Sequence, residues 1–230
     1  MNGLAAHEVT VAYGRQTVLD RASIHIGPGE TVGLRGPSGC GKSTLVRVLA
    51  LLHRPDDGHV SIDGNPVTGA RYRVAAAVRT RIGVLFQSPR SAADPRLSLA
   101  DIIAEPLRAT KAERIQDRVV ELAYTAGLTT DLLRRQPHAV SDGQLQRACL
   151  ARALAHRPDY LLCDEATTML DASTQAHVAA VITDHQHRHG TGVLLITHDP
   201  ALMHRWAHRV IDWPPDQAAP ATAVEHADHH

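Results

Sequence analysis

Gly36-Pro37-Ser38-Gly39-Cys40-Gly41-Lys42-Ser43-Thr44 is the stretch that decides the architecture. It fits the pattern G-x-x-x-x-G-K-[ST], in which glycines let backbone N–H groups close around phosphate oxygens while the lysine meets the negative charge and the next hydroxyl meets Mg²⁺. The flanks agree with it. Residues 30–35 form a short apolar strand, and residues 43–52 carry apolar side chains at helical spacing, so a helix N-terminus is aimed at the anion. A glycine-rich turn can match the pattern by chance, but the strand before it and the helix after it speak against that. The expectation is a site for a nucleoside triphosphate.

Outward from this loop, the first 35 residues alternate as strands do, over 7–13, 18–26 and 31–34, with turns at Gly14-Arg15 and 27–29. Another strand is predicted over 58–63, followed by a turn at Gly64-Asn65. This front part reads as antiparallel. From residue 82 strands and helices alternate: strands over 82–86, 160–163, 193–196 and 209–213, helices over 142–155, 173–188 and 200–208. Such a rhythm predicts a parallel sheet covered by helices. Helical pattern without a strand fills 99–126, so 87–140 reads as a helical insertion. The expected whole is an α/β P-loop core with a mostly parallel sheet, an N-terminal antiparallel β subdomain and an inserted α-helical subdomain, one domain over 4–213. A tail over 214–230, rich in Ala, Pro and His, is expected to be disordered.

Composition bounds the function. At 230 residues and 43% hydrophobic the chain can bury a core, and 24 basic against 24 acidic residues create no global field that would recruit nucleic acid or anionic lipid. Cys40, Cys149 and Cys163 lack a metal-binding spacing and read as reduced thiols. No apolar run approaches the roughly 18 residues of a membrane span, so a membrane role requires a partner. Among 16 histidines, His185, His187 and His189 cluster near a helix end, but no acidic or cysteine partner has matching spacing, and a solvated helix end is the simpler reading. The same holds for His226, His229 and His230.

Two further segments carry chemistry. Tyr160-Leu161-Leu162-Cys163-Asp164-Glu165 reads as a buried parallel strand ending in two carboxylates at the edge where open α/β sheets bind ligands. Asp164 is placed to hold Mg²⁺ with Ser43, and Glu165 to act on the attacking water. Ser141-Asp142-Gly143-Gln144 opens a helix whose first N–H groups suit a phosphate, although an ordinary serine N-cap explains an isolated Ser-Asp-Gly equally well.

Taken in order, the phosphate loop, Gln87, Ser141 to Gln144, Asp164-Glu165, Leu170-Asp171 and Ile196-Thr197-His198 resemble an ATP-binding cassette ATPase over residues 4–212. The resemblance implies ATP and Mg²⁺ as cofactors, with Gly36 to Thr44 on the phosphates and Ser43, Gln87 and Asp164 around the metal. It also implies that Ser141, Gly143 and Gln144 act in trans, on the nucleotide of a second homologous ATPase subunit bound head to tail. On the same ground Tyr13 resembles the aromatic that stacks on adenine, a core tyrosine being the alternative. Gln87 resembles the lid-loop glutamine, and His198 the switch histidine that orients Glu165 and water. Asp171 resembles the aspartate that couples the two sites, and it can also cap the following helix.

Two departures stand out. The family segment is usually Leu-Ser-Gly-Gly-Gln, and this chain has Val140-Ser141-Asp142-Gly143-Gln144. Asp142 either points at the nucleotide and weakens the site or lies along the helix start and favours its dipole, and the retained Ser141 and Gly143 favour the second. Thr168-Met169 stands where small residues usually precede Leu-Asp, and both departures allow an asymmetric heterodimer. Gln87-Ser88-Pro89-Arg90-Ser91-Ala92-Ala93-Asp94-Pro95-Arg96 with 102–107 resembles ATPase subunits of bacterial peptide and nickel importers. That implies two integral membrane permease subunits, an extracytoplasmic solute-binding protein, no nucleic acid, and a place on the cytoplasmic face of the cell membrane. An exporter ATPase commonly carries membrane helices in the same chain, a non-transport cassette protein two cassettes or a coiled coil, and a P-loop kinase has no use for Ser141 to Gln144 or His198.

Overall fold

The computed structural model describes residues 2–166 and 170–214. Thr168, Met169 and the tail from 215 onward, with His226, His229 and His230, lie outside the described residues. Strands β1 (Leu4–Tyr13) and β2 (Gln16–Ile26) form a hairpin closed at Tyr13 and Gln16, and β4 (Asp57–Ile62) pairs antiparallel with β1. An edge strand β5 (Asn65–Val67) completes the order β2-β1-β4-β5. The sequence pattern gives only a turn there, because three residues including Pro66 carry no readable alternation. The Asp63-Gly64 turn, with both φ angles positive at 52° and 78°, folds β5 back onto β4, and Pro66 is tolerated because β5 is an edge strand.

The second sheet is parallel, in the order β6-β7-β8-β3-β9, from β3 (Thr31–Arg35), β6 (Ile82–Leu85), β7 (Tyr160–Asp164), β8 (Gly192–Ile196) and β9 (Arg209–Asp212). Every residue of β7 and β8 is buried, as expected of parallel strands covered on both faces. The C-terminal ends of β3, β6, β7 and β8 deliver Gly36, Gln87, Glu165 and His198 to one edge of this sheet, where open α/β sheets bind ligands.

Helix α1 (Lys42–Leu49) buries Leu45, Val46, Val48 and Leu49 in a core shared with both sheets. A short α2 (Ala76–Arg79) precedes β6. Between β6 and α6 (Asp142–Leu154) come α3 (Pro89–Ala92), α4 (Leu99–Ala109) and α5 (Ile115–Thr125). The predicted helical region 99–126 is thus two helices, broken where Lys111 and Arg114 take positive φ angles of 54° and 49°. These helices have their own apolar cluster, in which Leu99, Ile102, Ile103, Leu107 and Val119 meet Leu145, Ala148 and Ala151 of α6. The opposite face of α6 sends Cys149, Leu150 and Leu154 into a third cluster with β7, β8 and α7 (Ala172–His189). Buried on two sides, α6 joins the helical layer to the sheet, and each fully buried leucine there stabilises by about 1.5–3 kcal/mol. Helix α8 (Pro200–Trp206) follows β8, and among the described residues no helix is long and apolar enough to cross a membrane.

Candidate nucleotide-binding and hydrolysis site

The phosphate loop closes on itself. Lys42 Nζ donates to the carbonyls of Gly36 (2.8 Å) and Pro37 (2.7 Å), so the loop's own oxygens orient the ammonium. Helix α1 begins at Gly41, whose φ of 93° suits glycine, and a Cβ there would lie 2.8 Å from the Val18 carbonyl oxygen. Among the described residues no side chain caps this helix start, so its first N–H groups are open to an anion. Support comes from the far end of the chain. Trp213, just past β9, donates its indole N–H to the Cys40 carbonyl (3.1 Å) and its backbone N–H to the Arg35 carbonyl (2.6 Å). A Cβ at Gly36 would stand 2.0 Å from the Trp213 carbonyl oxygen, which restricts that position to glycine.

Asp164 ends β7 with only 6% of its surface exposed. Burial pushes its carboxyl above the usual range, with Glu165 adding to the rise, while the Ser43 hydroxyl and the Arg47 and Lys42 charges pull the other way. Its Oδ1 is buried and accepts no hydrogen bond among the described residues. A buried carboxylate oxygen of this kind, beside a serine hydroxyl and a phosphate loop, fits a hard cation that keeps oxygen ligands and part of its water shell. Among the described residues no group of three His, Cys, Asp or Glu side chains could hold a metal by protein ligands alone.

Glu165 follows in a left-handed backbone conformation, φ 51°, which costs a non-glycine residue energy and recurs at functional sites. Its N–H donates to the Ile196 carbonyl (3.0 Å), fixing the turn against β8. The carboxylate is bracketed. Gln87 Nε2 donates to Oε2 at 2.8 Å, and His198 Nε2 meets Oε1 at 2.8 Å. Two residues from the ends of β6 and β8 thus converge on the carboxylate that follows β7, an arrangement able to hold a water and take a proton from it.

Ser141 to Gln144, the signature segment of the resemblance, open α6. Ser141 caps α6 by accepting from the Gln144 N–H (3.2 Å), and Gln144 Oε1 accepts from the Ser141 N–H (3.0 Å), a full capping box. No hydrogen bond or ion pair among the described residues joins Ser141, Gly143 or Gln144 to this chain's phosphate loop. Asp142 does more than lie along the helix start, for its carboxylate pairs with Arg90 at 2.7 Å. Asp171 caps α7, accepting from the Ser173 and Thr174 backbones and hydroxyls, which hold its carboxyl far below the usual range. Tyr13 is no core residue. Its ring is exposed at the end of β1, tilted against His53 at 5.7 Å.

Sequence reasoning missed Gln146, Arg90 and Trp213. Gln146, 1% exposed on α6, donates from one amide nitrogen to the carbonyls of Phe86 (3.2 Å) and Ala166 (2.8 Å), tying the residues beside Gln87 and Glu165 to one helix. A polar residue on the buried face of α6 was the available signal. Nothing local marked Arg90 or Trp213, whose partners lie 47 to 52 and 173 to 178 positions away.

The ABC transporter family profile matches residues 19–168. A nickel import ATP-binding protein, NikE, of Brucella suis biovar 1 (strain 1330) is 41% identical over 209 residues, 90% of this chain and 79% of the relative. The NikE protein of Escherichia coli O6:H1 (strain CFT073) is 41% identical over 200 residues, 85% of this chain and 74% of the relative. Among solved structures, the dimeric post-hydrolysis state of the ATP-binding cassette MJ0796 bound to ADP and Pi superimposes with a TM-score of 0.81 at 28% identity, covering 91% of this chain and 93% of that one.

Proposed function

Because the chain belongs to the ATP-binding cassette (ABC) transporter family, as an ATP-hydrolysing subunit of an importer, we propose that it drives uptake of nickel or a related small solute such as a peptide. The name carried by the 41% identical relatives supports nickel first. In this reading residues 4–213 act as one cassette with 87–140 as its helical lobe. Two homologous cassettes close head to tail, Ser141, Gly143 and Gln144 of one meeting the nucleotide on the phosphate loop of the other. A dimeric relative supports that geometry. So does a chain that has two anion-seeking helix starts and a lysine at only one of them. Membrane permease subunits and an external solute-binding protein complete the importer, with this chain on the cytoplasmic face.

Within the site, Gly36 to Thr44 hold the phosphates, Tyr13 stacks on adenine, and Ser43, Asp164 and Gln87 hold Mg²⁺, which when bound neutralises phosphate charge. Glu165 takes the proton of the attacking water, Gln87 and His198 keep its carboxylate in place, and Asp171 couples the two sites. The observation that carries this reading is the bracketed Glu165, held at 2.8 Å on each oxygen. Glu165→Gln keeps the shape and removes the base. Hydrolysis is expected to fall by about 10²–10⁴-fold with ATP binding retained and nickel uptake lost. Unchanged phosphate release by the variant would contradict the assignment.

A further inference from the structure

The Arg90 guanidinium serves three acceptors on one short stretch of chain. Its Nε meets Asp142 Oδ1 at 2.7 Å, Nη1 donates to the Pro137 carbonyl (3.0 Å), and Nη2 to the Val140 carbonyl (3.2 Å). Val140 and Asp142 stand on either side of Ser141. Arg90 itself belongs to α3, three positions after the Gln87 that holds Glu165.

The pair is half-exposed, and an ion pair of that kind adds little to stability. Its effect lies in the field at the start of α6. Asp142 occupies the first helical turn, where the macrodipole favours a carboxylate. The same positive end is what a phosphate would use, so an uncompensated carboxylate there repels the ligand that the helix start attracts. A guanidinium bound to Asp142 cancels that charge and turns the carboxylate toward α3. Its two carbonyl contacts fix the backbone on which Ser141 is presented.

We propose that Arg90 is a positioning residue of the composite site: it neutralises Asp142 and sets Ser141 and Gly143 for the partner's nucleotide. This rests on the trans reading of the signature segment above. It predicts an interdependence. Asp142 requires Arg90, and a chain without Asp142 has less need of it.

The test compares ATP turnover by the assembly that co-purifies with the full chain, carrying wild type, Arg90→Ala, Asp142→Gly, Arg90→Lys or the Arg90→Ala/Asp142→Gly double variant. Arg90→Ala is expected to lower kcat by about tenfold, with KM for ATP changed less than about threefold, because the chain's own phosphate loop is untouched. Asp142→Gly alone stays within about twofold of wild type, and the double variant returns to within about threefold of Asp142→Gly. Arg90→Lys, which keeps the charge but not the fork, falls between Arg90→Ala and wild type. A double variant no faster than Arg90→Ala overturns the proposal, because a purely structural arginine gives that result. Wild-type turnover in Arg90→Ala overturns it as well. Ser141→Arg separates this from a failure of the trans reading. Bulk at that position leaves turnover unchanged if α6 never meets a nucleotide, whatever Arg90 does.

Discussion

Two helix starts in this molecule use the same physics in opposite ways. Helix α1 opens at a left-handed glycine with no side-chain cap among the described residues, backed by Lys42 and braced by Trp213, so its first N–H groups and a full positive charge are open to an anion. Helix α6 opens at Ser141, and a capping box already satisfies part of its first turn, with the Asp142 and Arg90 charges balanced beside it. In the function proposed above, the first start captures phosphate, and the second completes a phosphate site held by another chain. That reading assigns affinity to α1 and turnover to both.

The comparison breaks most visibly at Lys42. Lys42→Ala is expected to weaken ATP binding roughly 10- to 100-fold, the value of a charge-assisted contact to phosphate, as read by equilibrium titration with a fluorescent nucleotide. Unchanged affinity would place capture elsewhere. At the other helix, Ser141→Ala removes the cap, which costs about 1 kcal/mol of stability, and is expected to slow turnover while leaving single-chain ATP affinity as it was. Loss of affinity in that variant would erase the division of labour. The smallest effect sharpens the contrast at Asp164. Its folded-state carboxyl titrates above the unfolded value, so the stability it contributes is present at acid pH and is lost as pH rises through the folded value. Without nucleotide, Asp164→Asn should raise Tm at neutral pH by about 2–4 °C for roughly 1 kcal/mol recovered, and flatten that pH slope, while hydrolysis is lost. A lower Tm would mean that the carboxylate is held by contacts that outweigh its burial.

Most of the site was legible because its parts are local. The phosphate loop announces itself through glycine spacing between a strand and a helix, and Asp164-Glu165 through its place at the end of an all-apolar strand. Strand ends arriving at one sheet edge follow from the alternation of elements, so Gln87, Glu165 and His198 could be expected near one another. What sequence could not supply was which atoms meet. Gln87 and His198 grip opposite oxygens of Glu165, contacts that span 78 and 33 positions. Asp142 left two orientations open because its counter-charge, Arg90, is brought to it only by the packing of α3 on α6. Strand β5 escaped notice because three residues around a proline leave no period to read.

Gln146 gives α6 a mechanical property beyond its chemistry. One buried amide nitrogen serves carbonyls just past the ends of two different strands, so the helix cannot swivel by itself without breaking both bonds, at about 1–3 kcal/mol for each. A shift of α6 that keeps both bonds has to carry with it the backbone next to Gln87 and Glu165.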